Sequence, residues 1–203
     1  MSEPEPPQGK WSTYYSATQG RPVRDVCRRA HLAFEQLNGG NRLAVDLGCG
    51  SGVESRYLLE QGWRVLAVDE QAEAIEALCA TVSVGSCERL STQIAKFEDL
   101  ELPTADLIWA GNSLPFCPAA KFPDLWSKLV ASLKPGGRLA VELFGERHAW
   151  RISPGITVQT REDVERLCQD LEFEYLDEVD ADRMTFSSGI QHWHAYRLIA
   201  RRP

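Results

Sequence analysis

Val45-Asp46-Leu47-Gly48-Cys49-Gly50-Ser51-Gly52 is the stretch that decides the fold. Three glycines stand at alternate positions, directly after the apolar run 43–47 and directly before a helical pattern that opens at Val53 and stops at Gly62. A strand, a tight turn and a helix in that order begin a βαβ unit. Glycine lets the main chain turn sharply and lets a ligand touch the backbone, although any tight strand-to-helix turn also favours it.

Reading outward, residues 64–68 form a second strand ending in Asp69, and Ile75, Leu78, Cys79 and Val82 then share a helical face. A weak strand signal covers 93–97 and a stronger one 107–110. Phe122, Leu125, Trp126, Leu129, Val130 and Leu133 make one helical stripe, stopped by Pro135 and the Gly136-Gly137 turn before a strand at 138–143. Thr160 and Asp163 resemble a capping box, with Asp where Glu is usual, opening a helix that turns Val164, Leu167, Cys168 and Leu171 inward. Strands near 173–179 and 192–200 follow. Upstream, Pro22 opens an amphipathic helix through Val26, Cys27, Ala30, Phe34 and Leu37, ending at Asn38-Gly39-Gly40. Residues 1–10, with three prolines and no apolar periodicity, read as a disordered leader, leaving 11–203 as a single domain. Alternating strands and helices predict a doubly wound, mostly parallel α/β sheet with right-handed connections. The last two strands have no helix between them and so pair antiparallel.

Composition narrows the function. The 203 residues carry 22 basic and 29 acidic side chains, a formal charge of -7, with 43% apolar and 25% charged residues. That is an ordinary globular chain. The acidic balance argues against a nucleic-acid partner, because gripping phosphates requires clustered Lys and Arg on one face. No apolar run approaches the length of about 18 residues that suggests a membrane span, and the first ten residues have no signal-peptide core. The expected location is the cytoplasm. Six cysteines form no CxxC pair and no zinc-like Cys/His spacing, so they read as reduced thiols and no metal site is expected.

A doubly wound sheet binds its ligand at the carboxyl ends of the strands, beside the point where strand order reverses. There the glycine turn is joined by Asp69, at the end of the second strand and 21 positions after Gly48, where a carboxylate can accept hydrogen bonds from both ribose hydroxyls. A dinucleotide fingerprint needs its third glycine at position 53, which is Val53, so a nicotinamide-dependent oxidoreductase fits poorly. Glycines at 48, 50 and 52 preceded by Asp46 instead resemble class I S-adenosylmethionine-dependent methyltransferases. The resemblance continues through Val68-Asp69, Asp106-Leu107-Ile108 and Leu133-Lys134-Pro135-Gly136-Gly137, and is most like small bacterial enzymes of the tellurite-resistance-related type.

That resemblance implies a Rossmann-like seven-stranded sheet whose last strand inserts antiparallel. It implies that S-adenosyl-L-methionine is bound and S-adenosyl-L-homocysteine released. Gly48, Gly50 and Gly52, with Cys49 between them, would admit the methionyl part, while Asp46 orients its ammonium. Asp69, with its neighbour Glu70, would hold the ribose. Phe97 and either Glu98 or Asp99 would flank the adenine, and Asn112 would lie near the transferred methyl group. The implied reaction is in-line displacement at a sulfonium methyl group, in which alignment and exclusion of water matter more than a general base.

The acceptor side is less defined. Asn112, Cys117 and His148 are the candidates for catalysis. Phe116 and Cys117 line an acceptor pocket or else pack beneath the following helix. Trp150 follows the fifth strand, and Glu142, near its end, faces the pocket or is paired within the sheet. His192 and His194 fall on one face of the last strand and Trp193 on the other, with His194 a further pocket candidate. Tyr14, Tyr15 and Arg21, with Trp11, form an N-terminal helical lid over residues 11–40 or a segment stapled on by its aromatics. Asn112-Ser113-Leu114-Pro115-Phe116 departs from the Asn-Pro-Pro-aromatic loop of DNA-methylating enzymes at Ser113 and Leu114. The leading expectation is methyl transfer to a small molecule; the alternative is a non-catalytic module or sensor that binds the same cofactor. Oligomeric state is not legible.

Overall fold

The computed structural model describes residues 11–34, 40–185 and 189–203. The expected leader, and Leu37-Asn38-Gly39 at the expected helix end, lie outside the described residues.

Alternation of apolar strands with amphipathic helices produces seven strands in the order β3-β2-β1-β4-β5-β7-β6. These are β1 (Leu43–Leu47), β2 (Arg64–Asp69), β3 (Leu90–Ile94), β4 (Ala105–Ala110), β5 (Leu133–Phe144), β6 (Glu172–Thr185) and β7 (Gly189–Arg201). The first five are parallel to one another, while β7 is antiparallel to both β5 and β6. The helices are α1 (Trp11–Thr18), α2 (Asp25–Leu32), α3 (Val53–Glu60), α4 (Ala72–Thr81), α5 (Val84–Cys87), α6 (Phe122–Ser132) and α7 (Arg161–Leu167). Because β1 lies between β2 and β4, strand order reverses at its carboxyl end.

Each face of the sheet carries its own apolar layer. Ala44, Val65, Ala67, Leu107 and Trp109 meet Val26, Cys27 and Ala30 of α2 together with Leu58 and Leu59 of α3. Val45, Ile108, Leu139 and Val141 meet Leu125, Trp126 and Leu129 of α6 and Val164 of α7. Central strands buried on both faces explain why β1 and β4 are apolar apart from Asp46 and Asp106. The Thr160 capping box forms with Asp163 in the expected place: the Asp163 N–H donates to Thr160 Oγ1 at 3.1 Å and the Thr160 N–H to Asp163 Oδ2 at 2.9 Å.

Three expectations need correction. The weak strand at 93–97 is displaced: β3 pairs Leu90–Ile94 with residues 65–69 of β2, and Phe97–Asp99 is a turn of 3-10 helix. Both faces of this edge strand are largely exposed, so its side chains lack the apolar run that marks β1. Cys79 is exposed although it shares the periodicity of Ile75 and Leu78, and α5 has no counterpart in the sequence pattern. The final hairpin is longer at both ends of its turn than expected, with thirteen paired positions from Glu172↔Arg201 to Thr185↔Gly189. Among the described residues no helix is long and apolar enough to cross a membrane.

Candidate functional site

The glycine turn is pinned to β2, since the N–H groups of Gly48 and Cys49 both donate to the Val68 carbonyl, at 2.8 and 3.0 Å. Gly48, Gly50 and Gly52 all have left-handed backbone (φ 68°, 51° and 76°). Space as well as torsion demands glycine here. A Cβ on Gly48 would lie 2.3 Å from Ser113 Cβ, and one on Gly52 would lie 2.3 Å from Leu78 Cδ1. Beside the turn the buried Asp69 carboxylate accepts from the N–H of Gly50 at 2.9 Å and of Gln71 at 3.0 Å, and from the Tyr15 hydroxyl at 3.3 Å. Burial raises the Asp69 pKa, and these three donors oppose the rise. Burial likewise raises the Tyr15 phenol, helped by the Asp69 charge, so it stays protonated and donates.

This corner opens into a cavity of about 890 Å³. Glu70, Phe97 and Glu98 border it on the β2 and β3 side, and Asn112, Ser113 and Phe116 after β4. Asn112 is itself left-handed (φ 57°), which aims its side chain at α2 and β5. In the amide orientation that satisfies its neighbours, its nitrogen donates to Glu142 Oε2 at 3.2 Å and its oxygen accepts from Arg24 at 3.0 Å. Arg24 closes the triangle with an ion pair to Glu142 at 3.1 Å. Phe116, Phe144, Trp150 and Trp193 build the far wall. Helix α1 roofs the space: Trp11 stacks on Tyr15 and meets Phe116 edge-on at 5.0 Å between centroids.

The anchor of that roof is an ion pair the sequence did not disclose. Arg21 grips buried Glu54 with two hydrogen bonds of 2.6 and 2.5 Å, and Glu54 also accepts from the Arg24 N–H at 3.0 Å. Burial alone would raise the Glu54 pKa, but the Arg21 hydrogen bonds and charge outweigh it and hold the carboxyl low. Glu54 reads in sequence only as an acid in the first turn of α3, where it suits the helix dipole. Arg24, Arg183 and Arg197 also line the cavity, and they reach it through folding rather than through any motif.

Several sequence candidates lie elsewhere. Cys117 is wholly buried in the α6 face of the core, where burial pushes its thiol up to about 11, so it is a packing residue and no nucleophile. His148 is also fully buried and stacks on Phe144 at 3.8 Å; burial depresses its pKa to about 3, and it does not line this cavity. His194 is on the opposite sheet face from Trp193. Its Nδ1 accepts from the Arg147 N–H at 3.0 Å, and its Nε2 lies 2.9 Å from Glu178. Arg147 ion-pairs with Glu178 and Asp180, which fills the one grouping of potential metal ligands among the described residues with a cation of the chain's own. Asp46 and Gly52 support the turn from below it. Asp46 accepts from Ser55 at 2.6 Å, and burial raises its pKa to about 7. Of the two acids after β3, Glu98 borders the cavity and Asp99 does not. Cys49, Tyr14, Arg21 and Glu142 do line it.

Residues 44–137 match the family model described as a methyltransferase domain, a span that runs from β1 to the turn inside β5. Over that span the chain is similar to a methyltransferase domain, and its sheet has the class I methyltransferase fold. Trans-aconitate 2-methyltransferase of Rhizobium leguminosarum bv. trifolii (strain WSM2304) is 28% identical over 125 residues, 61% of this chain. The chain spans less than half, 44%, of that relative's length. The methyltransferase fold is similar to that of TehB from Haemophilus influenzae, with a TM-score of 0.73 and 17% identity over 96% of this chain and 68% of that one. It is also similar to magnesium protoporphyrin IX methyltransferase from Synechocystis PCC 6803 with bound SAM, at 0.68 and 14% over 95% and 91% of the two chains. At such identities the likeness is one of fold.

The Synechocystis enzyme is solved with S-adenosyl-L-methionine bound and with S-adenosyl-L-homocysteine bound, the cofactor that the resemblance implies for this chain. The residues fit it. The glycine turn admits a ligand to the main chain, where a Cβ at Gly50 would stand 3.2 Å from the Tyr15 ring. The Tyr15 hydroxyl holds the position on Asp69 that a sugar hydroxyl would take, at the long distance of 3.3 Å.

Proposed function

We propose that the chain transfers a methyl group from S-adenosyl-L-methionine to a small-molecule acceptor by in-line displacement. One observation carries this reading: the Asp69 cradle and an aromatic-walled chamber share a single cavity that Asn112 also lines. Bound in the cradle, the cofactor supplies an electrophilic methyl group on its sulfonium. The chain's own residues bind and align. Asp69 holds the ribose, the Gly48 to Gly50 backbone takes the methionyl portion, and Phe97 and Glu98 flank the base. The Arg24, Asn112 and Glu142 triangle fixes the wall beside the transfer point, while α1 excludes water as a lid over both ligands. Alignment of this kind contributes up to about 7–11 kcal/mol to such reactions in favourable cases. Free thiols at all six cysteines suit a cytoplasmic setting.

Labelled S-adenosyl-L-methionine incubated with the protein and a metabolite extract tests this. Label in a small-molecule fraction is the expected result. Tight binding of S-adenosyl-L-homocysteine without turnover over many acceptors would instead establish a sensor, and absence of binding would remove the cofactor site itself.

A further inference from the structure

The two halves of the cavity differ in charge. Asp69, Glu70, Glu73 and Glu98 outnumber Arg21 and Lys96 in the cofactor half, whereas Arg24, Arg183 and Arg197 face the acceptor half against the single carboxylate of Glu142. Basic side chains gathered at one place in a chain of net charge -7 favour an anion there through local field. Arg24 is committed to Glu142 and Arg197 to Asp177, but Arg183, exposed at the rim of the cavity, has no carboxylate partner among the described residues.

The wall around these arginines is aromatic. Trp150 is itself more than nine-tenths buried. Its ring, Trp193 and Phe116 present flat apolar surface.

Among the described residues of this half no base is free to activate a neutral nucleophile. Glu142 is held by Arg24 and Asn112, and His148 is sealed behind Phe144 with its Nδ1 accepting from the Trp150 N–H at 3.1 Å. A nucleophile that arrives already deprotonated needs none.

On the methyltransferase reading above, we infer that the acceptor is a planar, aromatic or conjugated carboxylate, held flat against Trp150 and Trp193 with its charge met by Arg183, and that the product is its methyl ester. A carboxylate oxygen lone pair forms the new O–C bond as the C–S bond breaks. Its electron pair goes to sulfur, leaving a neutral thioether, and no proton moves.

Calorimetry on the full chain tests the inference, first with S-adenosyl-L-homocysteine alone and then, at saturation with it, with three matched pairs: benzoate and benzylamine, trans-cinnamate and cinnamylamine, indole-3-acetate and tryptamine. At least one carboxylate should bind about tenfold more tightly than its amine twin, as one charge-assisted contact allows. Arg183→Gln should erase about that factor while S-adenosyl-L-homocysteine affinity is unchanged. Label transferred from the methyl donor should be released by alkali as volatile methanol. Equal or tighter amine binding, no binding by any of the six, an Arg183→Gln variant with unaltered carboxylate affinity, or alkali-stable label would each overturn the carboxylate assignment. Failure of the first titration would overturn the methyltransferase reading beneath it, so the two failures are distinct.

Discussion

Asp69 carries more of the site than any other side chain, because two main-chain N–H groups and a phenol converge on one buried carboxylate. Asp69→Ala is expected to weaken S-adenosyl-L-homocysteine binding tenfold to a hundredfold in calorimetry, the value of about 1.5–3 kcal/mol for hydrogen bonds to a charged group, with the far-ultraviolet circular dichroism unchanged. Gly52→Ala acts differently, combining left-handed strain with a methyl group 2.3 Å from Leu78. It should cost about 2–4 kcal/mol in urea unfolding. Two buried groups set opposing pH dependences. Asp46, raised to about 7 by burial, binds its proton more tightly in the folded state, so its contribution is full below about pH 4 and is lost as pH rises through 7. His148, depressed to about 3, contributes fully above pH 6.5 and loses that contribution as pH falls. Between pH 4 and 6.5 the two oppose each other. Asp46→Asn should therefore make stability climb more steeply with pH across that interval, as read from urea midpoints.

Elements differ in how far their residues announce them. Helix α7 was legible to its first residue, because a cap is a local pattern that needs nothing from the rest of the chain. Thr160→Ala should cost about 1 kcal/mol in the same unfolding assay. The turn between β1 and α3 was legible for a similar reason, since left-handed torsion at three alternate positions leaves glycine as the suitable residue. Strand β3 was misplaced because an edge strand with exposed faces is held by its pairing to β2, and pairing has no signature in its own side chains. His148, Cys117 and His194 were read as candidates from their chemistry, yet burial decides what a titratable group does and burial is a property of the whole packing. The α1 roof shows the same limit. Its aromatics were visible, whereas the contact that fastens it, Arg21 on Glu54, joins residues 33 positions apart. Glu54→Gln leaves a buried guanidinium without its charge and should cost about 3 kcal/mol. It should also weaken S-adenosyl-L-homocysteine binding, a loss that Thr160→Ala does not share.

At the scale of the whole molecule, protection is graded from the centre of the sheet outward. β1 and β4 are buried on both faces, while Met184 and Ile190 at the far end of the β6–β7 hairpin are 75% and 66% exposed. Amide exchange should be slowest in β1 and β4 and fastest in residues 181–184 and 189–191, as measured by mass spectrometry. The hairpin has a second consequence. The proposed nucleoside site draws on residues between 46 and 98, while Arg183, Trp193 and Arg197 lie on the hairpin. On the proposed function, part of what chooses the recipient of the carbon is encoded apart from what captures the donor. Changes confined to the hairpin can then alter the preferred compound while the donor half is inherited intact.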